Sequence, residues 1–259
     1  MRKETTMRLL RNAVAAFSLG LLAAPALAAS DAATPPSLNW SFNGAFGTFD
    51  RAELQRGYQV YKEVCAACHS AKYVAFRSLR DIGFSDAEVK ALAATFEITD
   101  GPNDQGEMFK RPGLPSDKFP SPFPNEKAAR AANGGAYPVD LSLVGKSRVH
   151  GPDYLAALLS GYSAAPAGVT LGEGLHYNKY FPGGQIAMPP PLNADQVTYA
   201  DGTKATVEQM SRDVAGFLMW AAEPKLEDRK RMGFKVMIFL VIMTGLFIAA
   251  KKRIWARLH

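Results

Sequence analysis

The sequence predicts a mostly α-helical domain with long loops, carried on one C-terminal transmembrane helix. Three observations lead to that reading. Apolar residues recur at helical spacing in stretches that open on Ser, Thr or Asp. Strand signals are few. Near the C-terminus, Met232 to Ala250 runs apolar on every face, with Lys235 as its single charge.

Taken in order, the chain first offers Trp40, Phe42, Phe46 and Phe49 among small residues. Four aromatics so placed suggest a segment tucked against the core. Asp50 and Glu53 resemble a capping box, and a helix follows through Leu54, Tyr58, Val60 and Tyr61 into Cys65. Ser85 and Glu88 open a second helix in the same way, carrying Val89, Leu92, Ala93 and Phe96. Residues 101–124 are expected to be a loop, with six prolines. Asn125 to Gly135 reads as a short helix ending on glycine. Pro152 opens another helix reaching Tyr162. A Gly/Pro-rich stretch runs to Leu192. Thr206 and Gln209 then cap a helix with Met210, Val214, Phe217, Leu218 and Trp220, and Pro224 ends or kinks it.

The two ends speak of export and anchoring. Arg2, Lys3, Arg8 and Arg11 precede the apolar run Ala13 to Ala24, and Ala26-Leu27-Ala28 is an A-x-A cleavage site; Met7 is an alternative start. Residues 1–28 are expected to be a cleaved signal peptide, 29–224 an exported domain, 225–250 a basic junction and anchor, and 251–259 a cytoplasmic tail. The anchor would span about 28 Å, close to a bilayer core. Basic residues flank it evenly, so the export signal rather than the flanking charge decides orientation. The formal charge is +6. Residues 1–28 carry +3 of it and residues 225–259 carry +7, leaving −4 on residues 29–224. The exported domain is mildly acidic, which favours a basic protein partner over nucleic acid.

Chemistry concentrates at Cys65-Ala66-Ala67-Cys68-His69, which holds the only two cysteines of the chain. Cys-x-x-Cys-His is the attachment pattern of a c-type haem: the thiols bond the two vinyl groups and the histidine supplies the proximal nitrogen. A structural zinc site wants a second ligand pair, and His150, His176 and His259 form none. A thioredoxin-like site would want a βαβ setting. A simple disulfide would leave His69 unexplained.

An electron-transfer haem usually fills its sixth position, often with methionine. Within residues 29–224 the choices are Met108, Met188, Met210 and Met219. Met210 and Met219 sit at helical positions and suit core packing, and Met108 lies in a charged loop. Met188, before three prolines, stands on a stiff extended segment that suits a fixed iron distance. His150 and His176 remain rivals, so spacing alone leaves the ligand open.

Read together, the motifs resemble the cytochrome c1 family, the haem-bearing subunit of the cytochrome bc1 complex, in its bacterial form. The resemblance covers residues 38–257. It rests on Trp40-Ser41-Phe42, Gly47-Thr48-Phe49-Asp50, Arg56-Gly57-Tyr58-Gln59-Val60-Tyr61 leading into the Cys65 motif, and Ala129-Arg130-Ala131-Ala132-Asn133. It continues through Leu158 to Tyr162, Gly174 to Gly183, Ala187-Met188-Pro189-Pro190, Trp220 to Pro224 and Arg229 to Gly233. The resemblance implies a class I cytochrome c-like haem domain with one covalent haem c. Cys65 and Cys68 would be its anchors, His69 and Met188 its iron ligands, and Arg130 the partner of a haem propionate. It implies that the helix from Thr206 leads directly into the anchor. It further implies a redox subunit of a quinol–cytochrome c oxidoreductase with no substrate-transforming site of its own. The partners would be cytochrome b, a Rieske iron–sulfur protein and a soluble or tethered c-type cytochrome, in a dimeric complex of the inner membrane with the haem domain in the periplasm.

Overall fold

The computed structural model describes residues 32–256. The expected signal peptide, its cleavage site and the end of the tail lie outside the described residues. Seven α-helices appear among them: α1 (Arg51–Glu63), α2 (Asp86–Ala94), α3 (Glu126–Ala132), α4 (Val144–Ser147), α5 (Gly151–Ser160), α6 (Val207–Ala222) and α7 (Leu226–Trp255). Two 3-10 helices, Cys65–Ala67 and Phe76–Ile82, lie between α1 and α2.

The fold is organised by the packing of α1 on α6, with α5 and α4 against the same α6. Both helices bury one apolar face: Leu54, Tyr58, Val60 and Tyr61 on α1, and Met210, Val214, Phe217, Leu218 and Trp220 on α6. Gly57 lets the two backbones meet. A Cβ there would stand 2.1 Å from the Asp213 carbonyl, so any side chain would force the helices apart. Phe119 joins the seam, stacking on Tyr61 and touching Tyr58 and Phe76.

The expected caps act in different ways. Ser85 and Glu88 close a full reciprocal box on α2. Asp50 accepts from the amides of Ala52 and Glu53, but the Glu53 carboxylate turns inward instead of reaching back. Thr206 accepts from Gln209 N–H, whose own side chain goes to Asp213. Tertiary burial claims Glu53, whereas Gln209 is claimed by Asp213 one turn on in the same helix.

Four sequence expectations need correction. Residues 101–124 are not loop throughout: β1 (Glu97–Asp100) pairs antiparallel with β2 (Phe109–Pro112), from Glu97 opposite Pro112 to Asp100 opposite Phe109. Arg111 holds this hairpin down by bridging Asp100 at 2.5 Å and Asp117 at 2.6 Å. A second small hairpin, β3 (His176–Tyr177) with β4 (Gln185–Ile186), lies in the Gly/Pro-rich stretch. Both pairs are too short for period-2 patterning to announce them. Of the four N-terminal aromatics, Trp40, Phe42 and Phe49 are buried while Phe46 is exposed. Last, α6 does not run directly into the anchor. Glu223 leaves helical geometry, and a joint of Glu223, Pro224 and Lys225 separates α6 from α7.

The 30 residues of α7 span about 45 Å. Its apolar window is 0% buried within the chain, which rules out a buried soluble helix and fits a membrane span.

Candidate functional site

Helix α1 ends at Glu63, and the chain tightens into the 3-10 turn that carries Cys65. The amides of Cys68 and His69 both donate to the Cys65 carbonyl, at 3.1 and 2.9 Å. The turn therefore brings both thiols and the imidazole into one short loop anchored on the core helix. Cys65 is half-buried against the core and Cys68 is exposed, and both are free thiols. Burial, helped by the neighbouring Cys68, pushes the Cys65 thiol up to about 12. Among the described residues no group of three or more His, Cys, Asp or Glu side chains is placed to hold a metal ion.

His69 is oriented by a backbone group. Its Nδ1 lies 2.7 Å from the Val139 carbonyl. A carbonyl can only accept, so Nδ1 carries the proton and the Nε2 lone pair is left for another partner. Burial lowers the imidazole below its usual value, against the pull of the Val139 carbonyl and the Asp140 charge, and this favours the neutral, ligating form.

The irregular segment carrying Val139 is itself pinned to the motif. Leu141 N–H donates to the Ser70 carbonyl at 2.7 Å. Asp140 accepts from Ser70 Oγ at 2.7 Å, from Lys72 N–H at 3.1 Å and from Ser142 N–H at 3.0 Å. Burial works against its charge, but the hydrogen bonds of Ser142, Ser70 and Lys72 outweigh it and hold the carboxyl below the usual range. Sequence reading missed Val139 and Asp140. A carbonyl acceptor leaves no signature in residue type, and a single Asp in a loop looks like any surface charge.

Arg130 lies on α3, outside this cluster of bonds. It is half-exposed and pairs with Glu126 at 2.7 Å, donates to the Gly135 carbonyl at 3.0 Å and stands over the Tyr137 ring at 5.5 Å. Tyr137 is two residues from Val139, so Arg130 adjoins the site along the chain.

Met188 lies on a separate arm, two residues beyond β4. It is half-buried, and its carbonyl accepts from the Tyr162 hydroxyl at 3.0 Å. Tyr162 bridges to Asn178, whose buried side chain donates to the Leu158 carbonyl of α5 at 2.7 Å. Of the rivals, Met108 is 62% exposed on the β1–β2 hairpin and Met210 is fully buried in α6. His150 is exposed at the start of α5, and His176 lies in β3 opposite Ile186.

The chemistry of this donor set suits a haem c: two free thiols for thioethers, an oriented imidazole nitrogen and a thioether on a tethered segment. Beside them, Tyr137, Val139 and Leu143 are 42 to 50% exposed, an apolar face that a macrocycle would cover.

A family model described as the Cytochrome C1 family matches residues 40–258, nearly the whole described chain. The chain belongs to the cytochrome c1 family. Among its relatives is a protein named cytochrome b/c1 from Bradyrhizobium diazoefficiens, 52% identical over 96% of this chain and 41% of that protein. This chain thus spans less than half of that relative's length. A cytochrome c1 heme protein of mitochondria from Arabidopsis thaliana is 51% identical over 91% of this chain and 78% of its own length. Cytochrome c1 from Rhodospirillum rubrum is 49% identical over 84% of this chain and 86% of its own. The mostly helical domain and the single apolar C-terminal helix agree with membership of the cytochrome c1 family.

Proposed function

We propose that this chain is the electron-transfer subunit of a cytochrome bc1 complex, holding one haem c. The observation that carries this reading is the His69–Val139 hydrogen bond beside two free thiols, which leaves one imidazole nitrogen oriented and unprotonated. Cys65 and Cys68 would bond the group covalently, His69 and Met188 would ligate its iron, and Arg130 would exchange Glu126 for a propionate. When bound, the haem supplies a one-electron couple tuned upward by a His/Met ligand pair.

The protein's own contribution is placement. The α1 terminus fixes Cys65 to the core, the Ser70–Asp140 bond braces the segment that orients His69, and Tyr162 tethers the Met188 backbone. No nucleophile or general base is required of this chain. Its electron donor in this reading is a Rieske iron–sulfur protein and its acceptor a c-type cytochrome, with quinol chemistry left to cytochrome b. The haem-binding domain faces the periplasm of a dimeric complex, and the tail beyond Lys251 faces the cytoplasm.

Absorption spectra of the full chain in both oxidation states test the proposal. The expected result is a covalent low-spin haem with a methionine–sulfur band that disappears in Met188→Leu. A high-spin or bis-histidine spectrum would overturn the Met188 assignment.

A further inference from the structure

Residues 40–50 form a loop that is strapped to the start of α7. Lys230 donates through Nζ to the carbonyls of Phe42 at 2.6 Å and Gly47 at 3.1 Å. Glu227 accepts the Phe49 amide at 2.9 Å and takes Arg51 in a two-pronged pair at 2.8 and 2.9 Å. The loop also closes on itself, with Asn43 N–H on the Trp40 carbonyl and Thr48 N–H on the Ser41 carbonyl. Gly47 permits this closure, since a Cβ there would fall 2.0 Å from the Asn43 carbonyl. The tip is therefore held against α7 and shaped in advance.

At that tip stands Phe46, 80% exposed while its three aromatic neighbours are buried. Its ring meets Phe234 of α7 edge-on at 6.0 Å between centroids. Phe234 lies two residues inside the apolar run that begins at Met232, about 3 Å along the helix axis. A large apolar side chain displayed on a fixed loop, beside the first turn of a membrane span, shares the medium that surrounds that turn.

We propose that Phe46 is a second lipid contact of this chain, seated at the boundary between headgroups and acyl chains of the bilayer that α7 crosses. Continuity argues for lipid as the occupant: Met232, Phe234 and Val236 of the adjoining turn are themselves 45 to 58% exposed on an unburied span. Arg231 and Lys235, on the same stretch and exposed, suit headgroup phosphates. With one contact through α7 and a second through the loop, the haem-binding domain cannot swing freely about the Glu223–Lys225 joint. The inference rests on the membrane-anchor reading of α7.

The full chain in phosphatidylcholine/phosphatidylglycerol vesicles, with and without acyl-chain bromination, provides the test through tryptophan quenching. Trp40 and Trp220 are buried, so lipid quenching in the unsubstituted chain reports Trp255, 54% exposed at the end of α7. Phe46→Trp adds one emission component without disturbing the core. The expected result is that brominated lipid removes about half of the added emission while aqueous iodide changes it little. Quenching of Trp255 but not of the added component would overturn the Phe46 contact alone. An unquenched Trp255 would overturn the anchor reading and the inference with it. Loss of lipid quenching at position 46 once partner subunits are reconstituted in the same vesicles would show a protein covering it, and would also overturn the proposal.

Discussion

Arg56 on α1 grips Asp213 on α6 with two parallel hydrogen bonds, Nε to Oδ2 at 3.0 Å and Nη2 to Oδ1 at 3.1 Å. Asp213 is fully buried and also accepts from Gln209 Nε2 at 3.0 Å. Asp213→Ala should therefore cost about 3 kcal/mol, because it leaves a mostly buried guanidinium without its two-pronged partner. Asp201, the exposed second partner of Arg56 at 2.8 Å, should matter little when replaced by alanine. Denaturant unfolding of both variants separates the two; equal losses would refute the ranking.

Glu53 should make stability fall with rising pH. It is 7% exposed, its Oε1 is buried without a hydrogen-bond partner, and Arg212 stands 4.0 Å away. Burial pushes the carboxyl from 4.5 up to about 6. Between those values the unfolded chain has released a proton that the folded chain still holds, so folding weakens as pH rises through the window. Above it the cost is complete, about 2 kcal/mol. Glu53→Gln should be more stable than the parent by that order at about pH 7.5, with the gap shrinking at about pH 4. A gap independent of pH would rule out a titrating Glu53.

Tyr162→Phe removes one hydrogen bond, that from the hydroxyl to the Met188 carbonyl. The loss of stability should be about 1 kcal/mol. The more telling readout is the methionine–sulfur band, which should vanish at lower denaturant than global unfolding does. Coincident loss in parent and variant would show that Tyr162 does not steady the ligand arm.

The acidic balance of residues 29–224 predicts salt-sensitive docking. Electron transfer to a basic c-type cytochrome should slow by about tenfold between low and near-molar salt, where screening shortens from tens of ångströms to a few. A rate that ignores ionic strength would show that apolar contact, not charge, sets the encounter.

Much of the fold is legible locally. Capping residues and helical apolar spacing mark α1, α2, α3, α5 and α6 within a few residues of their observed bounds, because those signals act over one or two turns. The hairpins were missed because their strands are two to four residues long. Cys65, Cys68 and His69 are adjacent in sequence, so their grouping could be read directly.

What the sequence by itself determined is therefore what neighbouring residues decide together: the helices, the haem-attachment motif and an anchor apolar on every face. Only the tertiary structure decided which distant groups serve them. Val139, 70 residues beyond His69, selects the imidazole tautomer. Tyr162 holds Met188 from 26 residues away, and Lys230 and Glu227 strap a loop some 180 residues earlier in the chain. Many of these contacts end on backbone carbonyls and amides, which every residue type presents alike. Residue identity carries no record of them until the chain closes on itself.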